Sequence, residues 1–350
     1  MNIANHLLDK DFVLKYFKKK LLPLYPNFVD IKKIKIVFHK KMIWESTYHL
    51  VLEYRTVFLT KNNKAVVLPI FCSAHSNEDR LSFYKGLRLL WQSGFNGSHL
   101  VVPHPLFFSK YFNATFYRGL VGNHLHYFIK NNDLEIVEKI IPRIAFWLAK
   151  LHSIQPSNNI TLSNPNSRII TVVPGVEKIL KKISYNFKDL KKICRSIYKE
   201  LIKRENAFFK KTNRLYLIHG DAHPENFIKI GHHKLGAIDF TDLCLADFAR
   251  DLGSFLQQLD YMLGKRGINK KYINKIKKLF LSSYLKKTGL QKTSDFEKRI
   301  NTYYNFTAMR TATYFLIREE PNREKAEKLL KIICKNLNIK YKSIVKDSFK

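Results

Sequence analysis

Apolar residues are interleaved with polar ones over Ile31 to Phe38 and Thr47 to Phe58, and a third apolar run covers Ala65 to Cys72. These segments predict three strands, with Lys61-Asn62-Asn63-Lys64 as the polar hairpin turn between the last two. From Asn77 to Gln92, Leu81, Tyr84, Leu87, Leu90 and Trp91 recur at helical intervals and Gly94 closes the run, which predicts one helix crossing a small antiparallel sheet. Ahead of the strands, Leu7, Leu8, Phe12, Val13, Tyr16 and Phe17 also keep helical spacing. Asp9, Asp11 and several lysines interrupt them, unlike the apolar core of a signal peptide. Beyond Val101, Val102, Pro103 and Pro105, the short apolar strand Ala114 to Gly122, broken by two glycines, reads as a hinge.

Past that hinge the period changes to helical. Ile136, Val137, Ile140, Ile144, Trp147, Leu148 and Leu151 share one face of a helix from Leu134 to Ser153, with Pro142 as a kink. Pro156 to Asn166 reads as a loop, and Val176 to Phe209 as a lysine-rich amphipathic helical stretch. From Ala249 to Leu337 the helical pattern resumes, broken near Gly264 to Gly267, at Thr288-Gly289 and at Pro321. The chain of 350 residues is roughly twice a single domain of ~150. The expected architecture is α+β in two lobes, a sheet-bearing N-lobe over residues 1–122 and a mostly helical C-lobe over residues 123–350.

Composition narrows the class. With 45% hydrophobic residues the chain is globular in type, and no run of ~18 uncharged apolar residues marks a membrane span. Cys72, Cys194, Cys244 and Cys334 lie far apart, with neither zinc-ligand spacing nor a disulfide pattern, which fits a reducing cytoplasm. Lys plus Arg is 62 against 28 acids, a net charge of +34. Those lysines are scattered rather than blocked, and the chain is rich in Ile and Asn as AT-rich coding DNA produces, which weighs against a nucleic-acid partner. An anionic membrane surface, with a kinase working on a lipid or sugar there, is a third reading of the charge.

The chemistry concentrates in Tyr216-Leu-Ile-His219-Gly220-Asp221-Ala-His223-Pro224-Glu225-Asn226, followed by two short apolar strands around Gly231-His232-His233-Lys234 and ending at Asp239-Phe240. If Asn226 to Ile230 pairs with Leu235 to Asp239, the turn centres between His232 and His233 and sets Asn226 opposite Asp239. Directly opposed residues lie ~4.5–5.5 Å apart at Cα, close enough for two oxygen ligands to share a magnesium ion. Asp221, five residues before Asn226, sits in an irregular turn where a carboxylate can take a substrate hydroxyl's proton. His219 and His223 are expected to support the turn, and His232 and His233 to be turn residues.

This stretch resembles the HGDxHxxN and IDF motifs of the aminoglycoside phosphotransferase and choline kinase superfamily. The resemblance implies a two-lobed protein-kinase-like fold and transfer of the γ-phosphoryl group of ATP, with magnesium, to a hydroxyl of a small molecule. Asp221 would be the catalytic base, and Asn226 and Asp239 the metal ligands. Leu245-Ala-Asp247-Phe-Ala-Arg-Asp251-Leu252 is similar to the family segment in which Asp247 and Asp251 would anchor backbone amides. Phe116, Tyr117 and Arg118 resemble the adenine-side hinge, whose backbone would meet the adenine edge. More weakly, Tyr84 to Phe95 and Leu148-Ala-Lys-Leu-His152 look like the family's N-lobe helix and first C-lobe helix.

Two departures stand out. Ile70 occupies the place of the phosphate-holding lysine, and the segment Lys40 to Glu45, read as the loop between the first two strands, has no glycine, leaving Lys40 or Lys41 as substitutes. They motivate an alternative reading, a catalytically silent nucleotide-binding scaffold. Glu78 and Asp79 are expected to complement a helix dipole, and Glu319 and Glu320 to line a pocket or a solvated helix end. The acid-poor C-terminal lobe argues against a polycationic aminoglycoside acceptor. Choline-like amino alcohols, sugars, amino acids and drugs, aminoglycoside-like ones included, remain open as acceptors.

Overall fold

The computed structural model describes residues 2–97, 99–155, 162, 164, 167–212 and 214–341, and the chain divides into two compact units. The first takes the chain up to His124 together with Phe227–Thr241; the second takes Leu125–Gln155, Leu162–Asn226 and the chain from Asp242.

In the first unit, helix α1 (Lys10–Lys20) leads into β1 (Phe28–Ile43), β2 (Tyr48–Thr60) and β3 (Ala65–His75), followed by helix α2 (Arg80–Gln92). The three strands run longer than the alternation predicts. β1 reaches Ile43, so Lys40 and Lys41 lie in its ladder opposite Val51 and Leu50 rather than in a loop. After β4 (Leu100–Val101) come β5 (His104–Ser109), β6 (Ala114–Arg118) and β7 (Asn123–His124). The antiparallel sheet has the order β1-β2-β3-β6-β5.

Its period of two sorts the side chains. Ile70, Cys72 and Ala74 of β3 are fully buried with Leu50, Leu52 and Tyr54 of β2 against α1. Phe17 of α1 meets the Tyr54 ring edge-on at 5.1 Å, and burying such a side chain contributes about 1.5–3 kcal/mol. Asp79 caps α2 by accepting from Ser82 N at 3.0 Å, while Glu78 pairs with Arg80 at 2.8 Å.

A second sheet explains why Phe227–Thr241 groups with the first unit. β9 (Phe227–Ile230) and β10 (Lys234–Ala237) form the expected hairpin, and β4 and β7 pair with its two edges in the order β4-β10-β9-β7. At Gly122 a Cβ would lie 2.1 Å from the Lys229 carbonyl, so only glycine lets the chain pass β9. The hairpin register differs by one residue from expectation. Ile230 pairs with Lys234 and Phe227 with Ala237, because Gly231 at φ +54 makes a three-residue turn centred on His232. Strand register therefore does not set Asn226 against Asp239.

The second unit is helical: α3 (Leu125–Lys130), α4 (Leu134–Ser153), α5 (Val176–Asn186), α6 (Lys191–Phe209), α7 (Ala249–Lys265), α8 (Lys270–Thr288), α9 (Ser294–Ile317) and α10 (Arg323–Leu337). Two short strands, β8 (Tyr216–Ile218) and β11 (Cys244–Ala246), pair antiparallel among them. The stretch expected to be helical from Val176 to Phe209 forms two helices, parted where Phe187 leaves helical geometry and Asn186 donates to the Leu316 carbonyl at 2.8 Å. The loop expected over Pro156 to Asn166 lies, apart from Leu162 and Asn164, outside the described residues. All four cysteines are buried and unpaired. No helix among the described residues is long and apolar enough to cross a membrane.

Candidate active site

The loop His219–Asn226 leaves β8 under tight backbone control. Gly220 has φ +82, and a Cβ there would stand 2.2 Å from the Asp242 carbonyl, so this turn requires glycine. Asp251, fully buried at the start of α7, accepts from His219 N at 2.7 Å and Gly220 N at 3.0 Å. Its Oδ2 also lies 3.1 Å from His152 Nε2, and His152 Nδ1 is 2.9 Å from the Tyr284 hydroxyl. Burial alone would raise the Asp251 carboxyl; the hydrogen bond and charge of His152 outweigh it and hold the group below its ordinary range. Asp247 accepts from the N of Ala249, the first residue of α7, at 2.9 Å and is clamped by Arg299 through Nε at 2.9 Å and through Nη2.

Asp221 stands half-exposed at the tip of this loop. His223 Nε2 is 3.4 Å from its Oδ2, while His223 Nδ1 accepts from Glu225 N at 3.3 Å, which assigns the imidazole proton to the nitrogen facing Asp221. Desolvation pushes the Asp221 carboxyl up, but His223, with Arg310 and His219, brings it down to about 2. Asn226 is buried and donates from Nδ2 to the Asp221 carbonyl at 2.9 Å; its Oδ1 accepts no hydrogen bond among the described residues.

Within the first unit, Asp239 follows β10 as an exposed residue at φ +62, a left-handed conformation that aspartate tolerates better than most residues, and its Oδ1 accepts from Thr241 Oγ1 at 2.8 Å. Burial and the Asp239 carboxylate together push the Tyr117 phenol well up. Tyr117 stacks on Phe71 at 5.6 Å and 11°, so these two rings share the sheet face nearer Asp239. Phe116 instead lies in the core, and Arg118 closes the ladder against Ile70 and His104. β3 and β5 flank β6, and Gly119 N donates to Pro69 O, so the backbone of Phe116 to Arg118 is already laddered. The first residues with no backbone hydrogen bond among the described residues are Leu120 and Val121. Ile70 points into the core, away from the Phe71 face.

A cavity of about 340 Å³ opens beside Asp221 inside the second unit. Ser254, Gln258 and Met262 line it from successive turns of α7, and Thr307, Arg310, Thr311 and Tyr314 from one face of α9. Sequence reasoning missed this wall, and also His152 and Tyr284. The available signal was the spacing of four along α7, where polar and soft residues replace the leucines of the opposite face. Elsewhere, the ligand atoms of His49, His75 and Glu78 lie within 4.8 Å of one another. His75 Nδ1, however, accepts from Asn77 N and Glu78 N, which leaves the proton on the remaining nitrogen, and burial with Lys40 and Arg80 drops His49 to about 4.

A family model described as the phosphotransferase enzyme family matches residues 52–267. No curated protein matches the chain. Among solved structures, choline kinase from Cryptosporidium parvum Iowa II superposes with a TM-score of 0.60 at 11% identity, over 94% of this chain and 96% of that chain. The choline kinase LicA from Streptococcus pneumoniae gives 0.55 at 14%, over 93% and 98%. A spectinomycin phosphotransferase solved with ADP and spectinomycin gives 0.53 at 12%, over 94% and 98%. At these identities the likeness shows the fold, a kinase-like α+β architecture.

Proposed function

The chain belongs to the phosphotransferase enzyme family, and from that premise we propose that it transfers the γ-phosphoryl group of ATP, with magnesium, to a hydroxyl of a small molecule held in the cavity beside Asp221. The observation that carries the reading is Asp221 itself, an ionised carboxylate at a cavity mouth on a loop whose amides are locked by buried Asp251. Asp221 orients the acceptor hydroxyl and takes its proton as the new oxygen–phosphorus bond forms and the bond from the γ-phosphorus to the departing ADP breaks. A carboxylate held this low is a weak base, which suits a loose transition state in which positioning outweighs early proton removal.

Asn226 and Asp239 are the proposed metal ligands. Oxygen donors suit a hard divalent cation: Asn226 keeps Oδ1 free of hydrogen bonds among the described residues, and Asp239 presents an exposed carboxylate. Magnesium, when bound, supplies charge neutralisation at the phosphates. For adenine we propose the backbone of Leu120 and Val121, next to Phe116, Tyr117 and Arg118, since the ladder occupies those three. That a family relative was solved with ADP supports nucleotide use.

One observation favours the silent-scaffold alternative: β3 carries no lysine. Phosphoryl transfer measured by phosphorus NMR across a magnesium titration separates the two. The phosphotransferase reading expects Asp239→Ala and Asn226→Ala to need about tenfold or more magnesium for half-maximal transfer, as loss of a charged or oxygen ligand implies. Magnesium-dependent ATP binding with no transfer to any hydroxyl compound would favour the scaffold.

A further inference from the structure

We propose that the acceptor carries an anionic group, a carboxylate or a phosphate monoester, close to the hydroxyl that receives the phosphoryl group, and that Arg310 binds that group. The inference rests on the phosphotransferase reading and adds the chemical class of its substrate.

The argument is a charge inventory of the cavity. Two carboxylates line it, Asp221 and Glu225, and both are engaged. Asp221 faces His223 Nε2, and Glu225 Oε1 lies 2.8 Å from His126 Nδ1 with its other oxygen 3.9 Å from His223. Arg310 is the permanent cation of the wall, exposed on α9, and it makes no hydrogen bond or ion pair among the described residues. Its effect already reaches Asp221 as a downward pull on that carboxyl. A planar guanidinium fork without a partner, in a site that binds small molecules, matches a carboxylate or phosphate bidentately.

The remaining wall is neutral. Ser254 Oγ and Thr307 Oγ1 are 2.9 Å apart, and Gln258 Nε2 donates to Gln257 Oε1 at 3.0 Å, with Thr311 Oγ1 at 3.4 Å. These hydroxyls and amides retain spare acceptors and donors for a polyol. Met262 and Tyr314 add an apolar lip. A quaternary ammonium or polyamine would find no carboxylate free for it and would meet the Arg310 charge, which disfavours it. At about 340 Å³ the cavity is at the small end of ligand pockets, which fits a compact hydroxy acid or sugar monophosphate.

The test is calorimetric binding of D-glycerate and glycerol 3-phosphate, with choline and ethanolamine as cationic comparators, to wild type, Arg310→Met and Arg310→Lys. ADP release is measured with the same four compounds, and circular dichroism checks that each variant is folded. One or both anions should bind more tightly than the amines, and Arg310→Met should raise their Kd and KM by about 10- to 100-fold, the worth of a charge-assisted hydrogen-bond pair, with Arg310→Lys in between. Tighter binding of choline or ethanolamine, no binding of either anion at millimolar concentration, or anion binding unchanged in Arg310→Met would overturn the proposal. Anion binding through Arg310 with no ADP release would uphold the anion site while counting against the phosphotransferase reading; amine phosphorylation with the anions ignored would overturn the anion site while upholding that reading.

Discussion

In the first turn of α7, Asp251 is fully buried and holds two loop amides and His152, whereas Ser254, Gln258 and Met262 on the following turns stand half-buried along a cavity. One helix thus serves two regions built differently. The catalytic loop is fixed by several buried polar bonds that converge on one carboxylate, and removing any partner strands another in a low-dielectric interior. The cavity wall is joined only by single hydrogen bonds, Ser254 to Thr307 and Gln258 to Gln257 and Thr311, with solvent nearby, so each replacement strands little. Positioning of Asp221 therefore comes from collective burial, and choice of acceptor from single residues.

The sharpest way to break this contrast is Asp251→Ala. It leaves His152 and two amides unsatisfied, and urea unfolding should show a loss of about 3–5 kcal/mol. Gln258→Ala, on the same helix, removes one hydrogen bond to Gln257 and should cost about 1 kcal/mol, and equal costs would void the comparison. Gly220→Ala forces a Cβ against the Asp242 carbonyl in a left-handed conformation, and the same measurement should read about 1–3 kcal/mol.

The pH response refines the account further. Asp251 titrates below its ordinary range when folded, so its contribution to stability is present above the unfolded carboxyl value of about 3.9 and is lost as pH falls through the lower folded one. Asp221 stays ionised above about 2, so a fall in turnover between pH 7 and 5 should not come from it. His223→Ala removes the main group holding that carboxyl down, and should move the acid limb of kcat upward towards the ordinary aspartate range of about 3.9. The smallest expected effect is Tyr314→Ala, which should alter acceptor KM with stability within about 0.5 kcal/mol.

Most of the architecture was legible because burial follows period. The α4 helix, the breaks at Gly264 to Gly267, Thr288-Gly289 and Pro321, and the first three strands of the first sheet all follow from apolar spacing and glycine or proline punctuation. The hairpin was legible but its register was not, since one left-handed Gly231 shifts a turn by a residue without changing the apolar pattern. Asp221, Asn226 and Asp239 stand out locally because a polar run interrupts apolar strands. The bracing of the loop by His152 and Tyr284, and the cavity wall on α7 and α9, depend on contacts across about 50 to 130 residues, which no local pattern encodes. The absence of a lysine from β3 was legible but the orientation of Ile70 was not: it sits on the core face of β3, where its identity reports packing.

The most direct test of the central claim compares purified wild type with Asp221→Asn, measuring magnesium-dependent ATP binding and ATP turnover on the same samples. The account predicts ATP affinity within a few-fold of wild type and turnover lowered by about 10²–10⁴, the contribution of a positioned acid–base group. Turnover retained in Asp221→Asn at the wild-type rate would contradict it.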